Sequence, residues 1–412
     1  LPAAAVSKAN RRSLRQIKAL LTLLCESSAW KVANRYVLNP RRRRATRQPA
    51  RSDSRTNGSG AHRQVCLPHP DIFPGCTIST AGDAMKSHSL RAGAAIAAVL
   101  AITAPMAFAD DMADYKAMFE PLPAIPPIPA DNSLTPEKIE LGKMLFFEPR
   151  ISGSGVISCA TCHNPALGYT DRIPRATGHE GQVGNRNTPT ALNAAFLASQ
   201  FWDGREPDLE GQAVGPIQAD IEMNMNLEAA IARLNEFDAY KAAFARAFPE
   251  DADPINAANI GKAIASFERT LITPNAPLDR YLAGDEGALT AQQKEGMKLF
   301  VDAGCIACHA GPAFSDGNFH VFELPGSKDL GRFLVTGEDA DKYAFRTPTL
   351  RNVALTYPYF NNGSVPTLEK AVNLMGQQML GQDFEADELG ALVAFLHTLT
   401  GAMPQVVPPA LP

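Results

Sequence analysis

Two copies of Cys-x-x-Cys-His, Cys159-Ala160-Thr161-Cys162-His163 and Cys305-Ile306-Ala307-Cys308-His309, constrain this chain more than anything else in it. In such a pentapeptide the two thiols are spaced to add across the two vinyl groups of one haem. The His that follows is placed to ligate the iron. The chain has seven Cys, and beyond position 76 the only ones are those of the motifs. A zinc site with four thiolate ligands, or a pair of dithiol redox centres, also uses two C-x-x-C units. Neither explains a His directly after each second Cys. The spacing therefore predicts two covalent c-type haems, attached through Cys159, Cys162, Cys305 and Cys308, with His163 and His309 as iron ligands.

Export is expected from a segment well inside the chain. Met85-Lys86 opens a short basic stretch ending at Arg91, followed by an apolar run over 92–103 and then Ala107-Phe108-Ala109. This is the order of a secretory signal peptide, so 85–109 is read as one and the working protein is expected to start near Asp110. The apolar run is too short to cross a bilayer, and no membrane span is expected elsewhere. Residues 1–84 begin with Leu, carry Arg41 to Arg44 in a row and lack sustained periodicity. They read as an upstream extension from a misplaced translation start, with a basic arm or a transit peptide as the alternatives.

Without residues 1–109 the charge balance changes. That stretch holds 17 of the 39 Lys and Arg but only 4 of the 43 Asp and Glu, which leaves 22 basic against 39 acidic side chains, a formal charge of −17. Nucleic acid is not an expected partner of such a surface. A small redox protein with a basic face would be steered towards it at low salt.

The remaining residues suffice for two domains, and an internal repeat supports that number. Leu134-Thr135 leads into Gly142-Lys143-Met144-Leu145-Phe146, and Leu289-Thr290 leads into Gly296-Met297-Lys298-Leu299-Phe300, each ahead of a Cys-x-x-Cys-His. Thr135 with Pro136 predicts an N-cap and an N1 proline, and Thr290 with Gln293 predicts a capping box, so a short helix should precede each motif. Ile255, Ile260, Ile264, Phe267 and Leu271 form a helical stripe stopped by Thr273-Pro274. Leu389, Leu392, Val393, Leu396 and Leu399 form another. The stretches 311–331 and 336–343 are rich in Gly, Asp and Ser and predict loops. The fold expected is mainly α, with two cytochrome c-like haem domains, long loops and few strands.

Several segments carry a family resemblance. In the first half they are 157–164, Gly178-His179, 185–190, Phe201-Trp202-Asp203-Gly204-Arg205, Glu222-Met223-Asn224 and 271–275. In the second they are 304–309, Phe345-Arg346-Thr347-Pro348-Thr349-Leu350-Arg351-Asn352, Pro358-Tyr359-Phe360 and Leu374-Met375-Gly376. Together they resemble the bacterial di-haem cytochrome c peroxidases. The resemblance implies a peroxidatic haem domain over 110–276 and an electron-transferring domain over 277–412. It implies His179 as a removable distal ligand of the first haem iron and Met375 as sixth ligand of the second. Glu222 would be the distal acid/base, Gln212 a neighbouring distal amide, and Trp202 an aromatic on the path between the haems. Asn187, Thr356 and Pro358 match positions that give oxygen ligands to one interdomain Ca²⁺, a hard ion that tolerates such neutral donors.

The residues can also be weighed alone. Met379 and Met403 compete with Met375. A His/Met iron has a higher potential than a bis-His iron, so electrons would enter at the second haem and pass to the first. Of the other His, His397 reads as a core or boundary residue of the last helix, and His320 as a loop residue with no partner motif. The chain departs from the family after Tyr359-Phe360, where Asn361 stands at a position commonly occupied by His. The function implied is periplasmic reduction of hydrogen peroxide, with electrons from a small cytochrome c or copper protein and a homodimeric assembly. Two alternatives remain. One is a branch of the family that oxidises residues of a partner protein, against which Met375 argues because that branch resembles a Tyr variant at this position. The other is a pure electron-transfer cytochrome, in which Glu222 and Gln212 would have no purpose.

Overall fold

Two helices that cross at a glycine form the frame of each half. In the first half, α2 (Pro136–Phe146) lies against α7 (Ala257–Glu268). In the second, α9 (Ala291–Asp302) lies against α12 (Ala386–His397). Gly142 of α2 sits so close to α7 that a Cβ there would overlap the Ala263 carbonyl oxygen. Gly296 of α9 meets the Ala391 carbonyl of α12 in the same way. One turn further on, Phe146 meets Phe267 and Phe300 meets Phe395, both with ring centroids 5.2 Å apart. The repeat seen in the sequence is thus a repeated helix crossing.

These features come from a computed structural model that describes residues 111–324 and 326–412, all in one compact unit. The segments read as an upstream extension and a signal peptide, 1–84 and 85–109, lie outside the described residues. In chain order the other helices are α1 (Asp111–Lys116), α3 (Cys159–Cys162), α4 (Leu209–Gln218), α5 (Leu227–Leu234) and α6 (Asp238–Ala247). Then come α8 (Pro277–Leu282), α10 (Phe333–Thr336) and α11 (Leu368–Met375). Among the described residues the strands are β1 (Phe319–Val321) and β2 (Ala344–Arg346), antiparallel with His320 opposite Phe345. The molecule is mainly helical. No helix among the described residues is long and apolar enough to cross a membrane.

Capping chemistry sets the helix starts. Thr135 Oγ1 accepts from Lys138 N at 3.3 Å, with Pro136 at the first position where no N–H is needed. Thr290 and Gln293 form the expected reciprocal pair, at 2.9 and 3.3 Å. The stripe from Ile255 to Leu271 is trimmed at both ends. Asn256 Oδ1 accepts from Asn259 N and makes Asn256 the N-cap, so Ile255 is buried just outside α7. Beyond Glu268 the backbone tightens into a turn with Leu271 N on Glu268 O, ahead of Thr273-Pro274.

Two large hydrophobic clusters result, one around Leu141, Phe146, Phe244 and Phe267 and one around Met297, Phe300, Phe314 and Phe395, with a small third at Ala194, Leu209 and Ala265. The ends of the described chain cross between them. Phe119, next to α1, is inserted into the second cluster against Phe395 and Phe314. The tail returns to the first, where Met403 and Val406 pack, and Arg150 Nη1 donates to Pro412 O at 2.8 Å. Between the clusters Thr273 Oγ1 accepts from Asn193 Nδ2 at 2.8 Å and from Asn352 Nδ2 at 2.9 Å. Both Asn residues adopt left-handed backbone, a conformation Asn tolerates better than most.

Candidate active site

The first motif is a single helical turn, α3. Its geometry puts Cys159 and Cys162, three apart, on one face. Ser158 N donates to Thr161 Oγ1 at 3.0 Å and closes the start of the turn. His163 follows with its N–H on Cys159 O at 2.8 Å. Its ring Nδ1 lies 3.3 Å from Tyr169 O, where only a donor fits, so the proton is on Nδ1 and Nε2 keeps its lone pair. Burial pushes the imidazole below its ordinary pKa, with the Tyr169 and Pro189 carbonyls pulling the other way. The result is a neutral, oriented ligand.

The second motif repeats this. Gly304, in left-handed backbone, starts the turn Cys305–Ala307, and His309 N donates to Cys305 O at 3.0 Å. His309 Nδ1 lies 3.1 Å from Phe314 O, with the Pro348 carbonyl as its second neighbour. The two prolines belong to a further repeat, Thr188-Pro189-Thr190 with Asn193 and Thr347-Pro348-Thr349 with Asn352. Thr190 Oγ1 donates to Gly168 O at 2.7 Å and Thr349 Oγ1 to Ala313 O at 2.6 Å. Each proximal imidazole is therefore backed by the same loop of Thr, Pro and Asn. The Thr-Pro-Thr-x-x-Asn spacing is legible in the sequence and would have revealed this support.

None of the four motif Cys is in a disulfide. Burial pushes Cys159 up to about 12 and Cys162 and Cys305 up to about 11. A pair of Cys not spent on a disulfide beside an oriented His is the donor set that c-type haem attachment requires. Among the described residues, the buried polar side-chain atoms without a partner are Tyr169 Oη, His179 Nδ1, Ser199 Oγ and Glu268 Oε2. Three of these four residues adjoin groups of the first motif or its distal side. The residues present fit a haem at each motif.

His179 and Glu222, both expected on the distal side of the first haem, come together. His179 begins the turn His179–Gly181, and its N–H donates to Glu222 O at 2.9 Å. Gly178 is pressed against Ile221, where a Cβ would overlap the carbonyl oxygen. The His179 ring is buried. Glu222 stands on a return loop that folds under α4, with Glu222 N on Ala219 O and Met223 N on Pro216 O. Burial pushes the Glu222 carboxyl above its ordinary pKa, and Arg205 opposes this. Its charge is felt at both Cys159 and Cys162, which places it electrically at the first motif. Gln212 is half-buried on α4, the helix that leads into this loop.

Trp202 joins the two halves: its Nε1 donates to Asn187 O at 2.9 Å, and its carbonyl accepts from Arg346 N of β2 at 2.9 Å. Met375 ends α11, half-buried, and is followed by the wide π-helical turn Gly376–Leu380 that holds Met379. Met403 packs on the first cluster and so does not compete for the second motif. Asn187 N donates to Asn361 O at 2.7 Å and Arg172 Nε to Leu355 O at 3.1 Å, so the segments bearing Asn187, Thr356 and Pro358 meet at the junction.

Asn361 is buried there. Its Nδ2 donates to Asp329 Oδ2 at 3.3 Å, and Asp329 receives Arg186 through both oxygens at 2.7 and 2.9 Å, while Arg186 also reaches Asp203 at 2.6 Å. Two His readings change. His320 has a partner after all, Asp316 at 2.9 Å, because β1 brings it back over the second motif, where Cys308, Asp316 and His320 cluster. His397 is exposed at the end of α12, not in the core or at its boundary.

The family model described as di-haem cytochrome c peroxidase matches residues 136–287, and that described as cytochrome c matches residues 293–400. Cytochrome c551 peroxidase of Pseudomonas aeruginosa is 44% identical over 323 residues, covering 76% of this chain and 93% of that protein. Methylamine utilization protein MauG of Methylorubrum extorquens is 42% identical over 73% of this chain and 89% of its own length. Among solved structures, a MauG-like protein associated with microbial copper homeostasis superposes with a TM-score of 0.63 at 31% identity, over 68% of this chain and 95% of that one.

Proposed function

The chain belongs to the di-haem cytochrome c peroxidase family, and from that premise we propose that it reduces hydrogen peroxide to water in the periplasm with electrons from a small cytochrome c or copper protein. It is a peroxidase with two c-type haem sites. When bound, the haems supply irons that accept and pass on single electrons, and the first offers peroxide a coordination position.

The chain's own residues do the rest. Cys159 and Cys162, with Cys305 and Cys308, would anchor the two groups, and His163 and His309 would hold their irons. Met375 would hold the iron of the second as well, and Trp202 would lie on the electron route between the halves. His179 blocks the first site until its turn moves. Glu222 moves a proton from the inner to the outer peroxide oxygen, and Gln212 orients peroxide or water. Asn187, Thr356 and Pro358 give oxygens to a Ca²⁺ at the junction. A homodimer and an acidic surface that steers a basic donor complete the reading.

The observation that carries it is the 2.9 Å bond from His179 N to Glu222 O. It joins the backbones of His179 and Glu222, which supports the reading that His179 is displaceable, Glu222 carries the proton, and moving the first changes the setting of the second. The test is Glu222→Gln, which keeps the shape but not the exchangeable proton. Peroxide turnover by the half-reduced protein should fall by about 10²-fold or more, with both haem spectra kept. Turnover near that of the wild type would move the acid/base role elsewhere. Oxidation of a partner protein without any added electron donor would favour the second branch of the family over peroxide reduction.

A further inference from the structure

Glu268 is the last residue of α7 and is 7% exposed. Its Oε2 is buried without a hydrogen-bond partner. A carboxylate at that position faces the negative end of the helix dipole. The adjacent cation offsets this only in part, because the hydrogen bonds of Arg269 go to Glu210 of α4 at 2.7 and 3.0 Å. From α2, the buried Lys138 gives its ammonium to Asn132 and Ser133, and Glu140 and Lys143 pair with each other at the surface. From α3, Cys159 packs against the cluster that holds Phe267, the residue before Glu268, and burial first and then the charge on Glu268 push its thiol up. Burial pushes Glu268 up to about 8, with the charge of Arg269 opposing it and that of Glu210 adding to it.

We infer that Glu268 is a proton-binding site coupled to the electron that enters the first haem. An electron added to a poorly solvated centre is best compensated by a proton taken up nearby. Glu268 is a buried carboxyl whose Oε2 has no hydrogen-bond partner and whose neighbouring cation is bonded to another carboxylate. One electron from the donor protein and one proton from solvent enter together. The proton forms an O–H bond on Glu268, and both leave on reoxidation. The inference rests on the reading that a haem is attached through Cys159 and Cys162.

The test is a redox titration of the two-haem protein at a series of pH values, wild type against Glu268→Gln. In the wild type the reduction equilibrium of the first haem should weaken tenfold per pH unit, about 59 mV for a one-electron couple, in a window around 8. Below the window Glu268 is protonated in both redox states and above it in neither, so the profile is flat on both sides. In Glu268→Gln the slope in that window should vanish, while the second haem keeps its profile. A flat wild-type profile, or a slope that survives in the variant, overturns the inference. Should the variant fail to fold, the reduced-minus-oxidised infrared spectrum of wild-type protein carrying ¹³C-labelled glutamate decides. Reduction should add a protonated, label-shifted carboxylic acid band, and its absence overturns the inference. A mass short of one haem would instead remove the attachment reading, and the inference with it.

Discussion

The ring of His179 is buried while its backbone is held mainly by Glu222 O, so a small movement of one turn can withdraw the ring without breaking the core. Gly181, in left-handed backbone beside open space, is the permissive point of that turn. Replacing His179 with Gly should therefore give a first haem that reacts with peroxide while fully oxidised, whereas the wild type should need an electron first. Stopped-flow mixing of oxidised protein with peroxide distinguishes the two, and equal rates would leave His179 without a gating role. Much at this scale was legible, because Cys-x-x-Cys-His and the Thr caps act over a few residues. Glu268 and the pairing of Asn361 with Asp329 were not. The first is one acidic residue among many until burial singles it out, and the second joins positions 32 apart through a loop without periodicity.

The helix crossings carry a prediction of their own. At Gly142 and Gly296 an added methyl meets a backbone carbonyl, which cannot swing aside as a side chain can. Gly142→Ala or Gly296→Ala should each destabilise the protein by about 1–3 kcal/mol, the usual range for overpacking. Gly390 lies inside α12 with only Gln292 Nε2 near its missing Cβ, at 3.7 Å. Gly390→Ala should stabilise by about 0.5–1 kcal/mol through helix propensity. Denaturant titration of the haem-loaded proteins checks the opposite signs, and matching signs would refute the crossing argument. The helices themselves were legible from caps and periodicity. Their exact ends were not, since Asn256 takes over as N-cap and leaves Ile255 buried outside the helix. The pairing of β1 with β2 was also not legible, because three-residue strands in a Gly-rich stretch show no alternation.

Across the whole molecule, the junction depends on Arg186, Asp203, Asp329 and Asn361. Burial acts against the charge on Asp329, but the hydrogen bonds from Arg186, Gly331 N and Asn361, together with the Arg186 charge, outweigh it and hold the carboxyl below the usual aspartate range. With the folded pKa depressed, this contribution is complete above the ordinary value near 3.8 and is lost as pH falls through the folded value. Asp329→Asn should thus weaken the protein at neutral pH and flatten its loss of stability on the acid side. Unfolding measured at neutral pH and below about 4 checks both effects. Asn361 has no proton to exchange, so its bond to Asp329 should persist through neutral pH. A duplicated architecture was legible from the repeats, but its interlacing was not, because contacts between distant segments leave no local pattern. That interlacing has a consequence for the order of events in the life of the chain. Residues 401–412 close over the first core although they are made after the helices of both halves, whereas the insertion of Phe119 into the second core awaits the helices over 291–302 and 386–397. Each half waits for a segment from the far end, so haem can reach the first motif while its core is still uncovered. Removing 401–412 should accelerate hydrogen exchange in α2 and α7 more than in α9 and α12, which are nearer in sequence to the cut.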